Sequence, residues 1–265
     1  MPLTEFQGEI LALLSQTRSP DSYLAGGAAL HLSPNSTRYS EDLDFFNDSA
    51  ERVARAFAED SALLEGVGCA VEVQISQPGF IRAIVRRKSS ATRVDWAHES
   101  AWRFVPPVRD PRGGYVLHEI DLAINKTLAL AGREEPRDYV DILFVHERVL
   151  PLAGLVWAAV GKDPGFTPLS LLELMKRRGR HRPEEVERLH LAAPFDAVAS
   201  KTAWLTALDE AESFARSRPP DEAGCLYYSG GEERFRLPGV GSSLEEQGLH
   251  LHFGAPGGIL PQAVE

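Results

Sequence analysis

The chain has 265 residues, 43% of them hydrophobic and 25% charged, which is the composition of a globular protein with one large domain or two modest ones. A net charge of −10 argues against a general nucleic-acid coat, and two distant cysteines, Cys69 and Cys225, exclude a disulfide framework or a zinc ribbon and fit a reducing cytoplasm. The start MPLTEFQGEI has no basic and apolar leader pattern, and the longest apolar run, Val149 to Val160, is too short to span a bilayer; no membrane partner is expected.

Thr4 with Gln7 three residues later is a capping-box pattern, and Phe6, Ile10, Leu13 and Leu14 follow at helical spacing. Tyr23 to Ala25 reads as a short strand, running into Gly26-Gly27 and a small-residue helix from Ala28 to Leu32. The turn formers Ser33-Pro34-Asn35-Ser36 predict a loop, and Asp42 to Phe46 alternates as a second strand. Ser49 caps a helix with Val53, Phe57, Leu63 and Leu64 on its buried side. Strand-like runs follow at Ala70 to Ile75, Phe80 to Val85 and Thr92 to Trp96. The order β-α-β-α-β-β-β predicts an α+β protein with a mixed sheet flanked by helices.

From Val105-Pro106-Pro107 to Gly113-Gly114 the composition breaks, and beyond it the chain reads as mostly helical. Helices are predicted at Ile120 to Leu130, Arg137 to Val149, Pro168 to Arg178, Pro183 to Leu191 and Val198 to Ala215. Three parts result: residues 1–110, a helical part at 111–216, and a Gly/Pro-rich segment at 217–265, in which Gly248 to Phe253 reads as an exposed strand. Two cationic clusters are candidates for a nucleic-acid face or for ordinary solvated surface. One is Arg82, Arg86, Arg87, Lys88 and Arg93; the other is Lys176, Arg177, Arg178, Arg180 and Arg182.

Asp42 and Asp44 sit two apart on a strand and so share a face. At about 4 Å and an effective dielectric near 20 their repulsion is roughly 4 kcal/mol, which a cation must offset or a proton relieve. A hard divalent ion does so with oxygen ligands alone and keeps positions open for phosphates. Gly26-Gly27, between a strand and a helix, either lets bare N–H groups approach a phosphate or is a plain tight turn. Asp95, in the apolar strand Arg93-Val94-Asp95-Trp96, is either a third ligand and base or a paired strand residue. Lys126 and Arg133 are two helical turns apart on one face, with Ala129 between them, and their charges suit a triphosphate. Pro136 starts the next helix and places Arg137, Asp138 and Asp141 near its first turn, where acids also gain from the helix dipole.

The run Gly26-Gly27-Ala28-Ala29-Leu30 … Arg38-Tyr39-Ser40-Glu41-Asp42-Leu43-Asp44-Phe45 resembles the signature of polymerase-β-like nucleotidyltransferases, and more narrowly that of the AbiEii/AbiGii (MenT-like) toxin family. A second block is similar to the same family: Asn125-Lys126, Ala129, Arg133, Arg137-Asp138 and Asp141. The resemblance covers about residues 20 to 145. It implies a nucleotidyltransferase-fold sheet followed by a helical domain, with Mg²⁺ or Mn²⁺ as cofactor and an NTP as substrate. Asp42, Asp44 and Asp95 would be the metal ligands, and Asp95 would also deprotonate the acceptor. Gly26 and Gly27 would cradle phosphates, with Ser40 bonding a phosphate or capping the strand. Arg38 either binds phosphate or braces the acidic loop. Lys126 and Arg133 would neutralise the leaving group, supported by Arg137, Asp138 and Asp141. RNA, notably a tRNA 3′ end, is the implied acceptor, and an antitoxin protein the implied partner. Two rivals stay open at this point: transfer to a small molecule or protein hydroxyl, and a nucleotide- or RNA-binding module without turnover.

Overall fold

The computed structural model describes residues 3–32, 36–239 and 241–262. The loop predicted at Ser33-Pro34-Asn35 lies outside them. The chain divides into two compact units after His118, with Pro256–Gly258 returning to the first unit, where the Gly257 N–H donates to the Ala101 carbonyl at 2.8 Å. The sequence suggested breaks near residues 110 and 216. The first falls eight residues later, because β8 at 114–116 still belongs to the sheet of the first unit.

In the first unit, α1 (Glu5–Leu14) begins at the capping box read from the sequence: the Thr4 hydroxyl accepts from the Gln7 N–H, and the Gln7 side chain accepts from the Thr4 N–H. Then come β1 (Ser22–Ala25), α2 (Gly26–Leu30), β2 (Asp42–Asn47), α3 (Ala50–Gly66), β3 (Ala70–Gln77), β4 (Phe80–Arg87) and β5 (Ser90–His98). Short strands β6 (Trp102–Arg103), β7 (Val108–Asp110) and β8 (Gly114–Val116) follow, with β7 and the start of β8 in the stretch where the composition breaks. The seven-stranded sheet runs β3-β4-β5-β2-β1-β8-β7, with β2–β5 and β1–β8 parallel and the other neighbours antiparallel.

The expected mixed sheet is therefore present, and its pleat sorts the residues of β2. Leu43 and Phe45 turn into the core, in register with Val94 and Trp96, and all four are fully buried. Phe57 of α3 meets the Trp96 ring edge-on at 5.1 Å. Also in this core is a buried ionic centre that the sequence did not announce. Arg18 donates to both oxygens of Asp60 at 2.5 and 2.6 Å, Trp96 Nε1 donates to Asp60 at 2.7 Å, and the Thr17 hydroxyl donates to it at 2.7 Å. Neither Arg18 nor Asp60 exposes any side-chain surface. Burial lowers the Arg18 pKa from its ordinary value, against the pull of Asp60.

The second unit holds α4 (Glu119–Gly132), α5 (Pro136–Arg148), α6 (Leu152–Lys162), α7 (Pro168–Arg178), α8 (Pro183–Glu187) and α9 (Ala197–Ser217). Pro136, Pro168 and Pro183 each open a helix, where a missing N–H costs nothing. The helix α6 was not predicted. Residues 152–160 are all buried, so the segment is apolar all round and shows no amphipathic period. The strands β9 (Leu226–Ser229), β10 (Arg234–Phe235) and β11 (Leu249–His252) form a small sheet within this unit, ordered β10-β9-β11. Tyr227 and Leu249 pack there with Trp157 of α6 and Phe214 of α9. The segment after residue 216 is thus part of the helical unit's core. His252, read as belonging to an exposed strand, is buried against the Phe235 ring at 5.4 Å. Among the described residues no single helix is long and apolar enough to cross a membrane.

Candidate active site

The face of the sheet opposite the Trp96 core carries the acids. Register places Ala25 beside Asp44, Asp44 beside Asp95, and Asp95 beside Arg82, one row across β1, β2, β5 and β4. In the next row Asp42 stands beside Arg93. Strand geometry brings Asp42, Asp44 and Asp95 onto one face.

Gly26 follows Ala25 with φ +62°, the left-handed region that favours glycine. A Cβ there would collide with the Asp44 carboxylate, so only a bare backbone fits beside this acid. A Cβ on Gly27 would lie 2.9 Å from Arg38 Nη2 and 3.2 Å from the Ser40 hydroxyl. The glycine turn therefore carries Asp44 on one side and the Arg38–Ser40 loop on the other. Ser40 donates to the Asp42 carbonyl at 3.0 Å, which caps the strand entry, and Arg38 Nη1 donates to the Tyr39 carbonyl at 3.1 Å, which braces the loop. Gln7 of α1 pins the same loop, donating to the Ser40 carbonyl at 3.2 Å and to Thr92 at 3.3 Å. Its spacing marked it only as a cap residue.

The cationic partners are residues read from the sequence as part of a surface cluster. Arg82 forks onto Asp95 at 2.8 and 2.6 Å, and Arg93 pairs with Asp42 and lies 3.9 Å from Asp95. Asp95 raises the Arg82 pKa, chiefly through the hydrogen bond. Arg86 pairs with Glu72 and Arg87 with Glu9. All four arginines of the first cluster are thus occupied by carboxylates. Of the two readings, nucleic-acid face or solvated surface, the four arginines fit neither as free charge: Arg82 stands opposite Asp95 in the antiparallel β4–β5 register and Arg93 beside Asp42 in the parallel β2–β5 register.

Among the described residues no group of three or more His, Cys, Asp or Glu side chains is gathered closely enough to hold a metal ion. The donor chemistry nevertheless suits a hard cation: Asp42 and Asp44 offer oxygen ligands from one strand, and a nucleotide's phosphates would complete the shell. Asp95 is engaged by Arg82.

In the helical unit, Lys126 of α4 lies between two fully buried acids of α5, at 3.3 Å from Asp138 and 2.8 Å from Asp141. Arg133 grips Asp138 through both oxygens at 2.6 and 3.1 Å, with about half of its own side chain exposed. Burial raises the Asp138 pKa, but the Arg133 hydrogen bonds and the charges of Lys126 and Arg133 outweigh it and hold the carboxyl below its ordinary value. Arg137, the second residue of α5, is half-buried.

A mixed sheet that lines up acids beside a glycine turn defines the class: this is the nucleotidyltransferase fold. The family model described as nucleotidyl transferase AbiEii toxin, type IV toxin–antitoxin system, matches residues 11–223, and the chain belongs to that family. Among solved structures it is similar to MenT4, a nucleotidyltransferase toxin from Mycobacterium tuberculosis H37Rv, with 20% identity, 82% of this chain and 83% of that one covered, and a TM-score of 0.55. It also matches JHP933 from Helicobacter pylori at 15% identity, covering 81% and 97% of the two chains, with a TM-score of 0.46. No curated protein matches the chain.

Proposed function

We propose that this nucleotidyltransferase transfers a nucleoside monophosphate from an NTP to a hydroxyl of RNA, at the 3′ end of tRNA, as the toxin partnered by a cognate antitoxin. The observation that carries the reading is the clearance at Gly26, where the backbone lies against Asp44 and leaves no room for a side chain. Asp42 and Asp44 would hold Mg²⁺ or Mn²⁺, which supplies charge for the phosphates and for the oxygens that attack and leave.

The residues of this chain divide the remaining work. The backbone of Gly26 and Gly27 cradles phosphate oxygens, with Arg38 and Ser40 beside it. The acceptor hydroxyl oxygen bonds to the α-phosphorus, the bond from that phosphorus to the bridging oxygen breaks, and pyrophosphate leaves. The proton of the hydroxyl passes to Asp95, whose plane Arg82 fixes. The family resemblance gives Lys126 and Arg133 the charge of the phosphates, with Asp138 and Asp141 orienting Lys126 and Arg137 flanking them.

The test incubates purified protein with Mg²⁺, each α-labelled NTP in turn, and fractionated bacterial RNA. Label on tRNA, lost in Asp44→Ala, supports the reading. Label that persists in that variant removes the site, and label found only on protein or small metabolites removes RNA as the acceptor.

A further inference from the structure

The second cationic cluster differs from the first. The helix α7 ends on Lys176, Arg177 and Arg178, and the chain turns through Gly179, Arg180 and His181 before α8. Arg177, Arg178, Arg180, His181 and Arg188 line a cleft of about 400 Å³ within the helical unit, bordered by Glu134, Pro136 and Glu185. Four guanidiniums face two carboxylates there, in a chain whose overall charge is −10.

Partners distinguish these arginines from those of the first cluster. Lys176 is bound to Glu212 at 2.6 Å, and Arg180 donates to the Lys176 carbonyl at 3.2 Å. Among the described residues, Arg177, Arg178 and Arg188 form no ion pair, whereas Arg82, Arg86, Arg87 and Arg93 all do. His181 adds an independent sign of a missing partner. Its side chain is 5% exposed, its Nδ1 is 3.9 Å from Glu185, and its buried Nε2 has no hydrogen-bond partner. Burial also lowers the His181 pKa, against the pull of Glu185. An unbonded buried nitrogen is costly, and a ligand in the cleft would relieve it.

The chemistry that fits is a run of phosphates. A guanidinium grips two phosphate oxygens at once, and arginines held by no carboxylate give up no ion pair to do so. The lining arginines come from the end of α7, the following turn and the end of α8, and a phosphodiester chain offers such a spread-out set several phosphates in series. Elsewhere the acidic surface repels such a polyanion, so affinity concentrates here. We propose that this arginine cleft seats the phosphodiester backbone of the acceptor RNA, an assignment that rests on the RNA reading above.

The test measures fluorescence anisotropy of labelled bacterial tRNA with wild type, with R177Q/R178Q/R188Q, and with R55Q/R216Q/R234Q. The last removes the same charge from exposed arginines paired with Glu59, Glu212 and Glu232. The cleft variant is expected to lose roughly 10- to 100-fold in affinity at low salt, and the slope of log Kd against log salt to fall by about 2 to 3. The control should stay close to wild type, and the KM for NTP should be unchanged in both. Equal losses in the two variants, or none in the cleft variant, overturn the proposal. Should the triple variant lose thermal stability, R177Q/R188Q, at two exposed positions, carries the same comparison. Wild type that binds tRNA through the cleft without labelling it keeps the cleft as an RNA seat and sinks tRNA as the acceptor. Labelling with an unchanged KM for RNA in the cleft variant does the reverse.

Discussion

Arg82 and Asp95 stand opposite each other in the register of β4 and β5 and meet through two parallel hydrogen bonds. A fork of this kind fixes the plane of the carboxylate as well as its charge. Arg82→Lys keeps the charge and loses the fork, so kcat should fall roughly 10- to 100-fold, the scale seen when a group orienting a functional side chain is removed. The KM for NTP should hold. Arg82 is about one-third exposed, so thermal stability should change little. A lysine variant with full kcat would show that Asp95 needs no such orientation.

Gly26→Ala combines a left-handed backbone, worth about 1–2 kcal/mol, with a side chain driven into Asp44. Both stability and nucleotide transfer should drop. Gly68→Ala is the matched comparison: φ is +79°, but nothing lies within 4 Å of the added carbon. It should lose stability by the backbone amount alone and keep its activity. Equal activity in the two variants would separate the glycine turn from the chemistry.

Asp60 is surrounded by donors in the core of the first unit. Asp60→Ala leaves Arg18 buried without its carboxylate and should cost about 3–5 kcal/mol in urea unfolding. Replacing Trp96 by Phe removes the indole donor, worth about 1–3 kcal/mol, and adds the cavity left by the smaller ring. If Asp60→Ala unfolds at the wild-type urea concentration, the centre contributes no stability.

The pH dependence follows from Asp138. Its pKa is lower in the folded chain than the ordinary 3.8, so its stabilisation is complete above that value and disappears as pH falls through the folded value. Arg133→Gln removes the main cause. The variant should be less stable than wild type at pH 7, by about 1 kcal/mol because Arg133 is half exposed. The difference should begin to shrink as pH falls below 3.8 and close once the pH is under the lowered wild-type value, where the carboxyl is protonated in both proteins. A constant difference from pH 7 to pH 2 would assign the loss to packing.

What could be read from the sequence was local. The capping box at Thr4, the Gly26-Gly27 turn and the i, i+2 acids of β2 each lie within a few residues, and each appears where the pattern put it. Two separated blocks carried the family, which the match over residues 11–223 bears out. The partners of the acids were hidden because strand pairing decides them. Arg82 is 13 residues from Asp95, and Arg18 is 42 from Asp60. Read along the chain, Arg82 and Arg93 are surface cations; read across the sheet, they are counter-ions. The helix α6 was missed for the opposite reason: nine consecutive buried positions leave no polar face to set a period.

The acid-bearing face has a charge balance of its own. Asp42, Asp44 and Asp95 carry three negative charges, and Arg38, Arg82 and Arg93 carry three positive ones, so the local sum is zero. A bare cluster of acids would push a triphosphate away; a balanced one does not. On the proposed reading, Asp42 and Asp44 would hold the cation that accompanies a nucleotide, and the guanidiniums they release would be available to its phosphate oxygens. Such an exchange alters little of the net charge, so NTP affinity should depend on salt far less than the seating of RNA does.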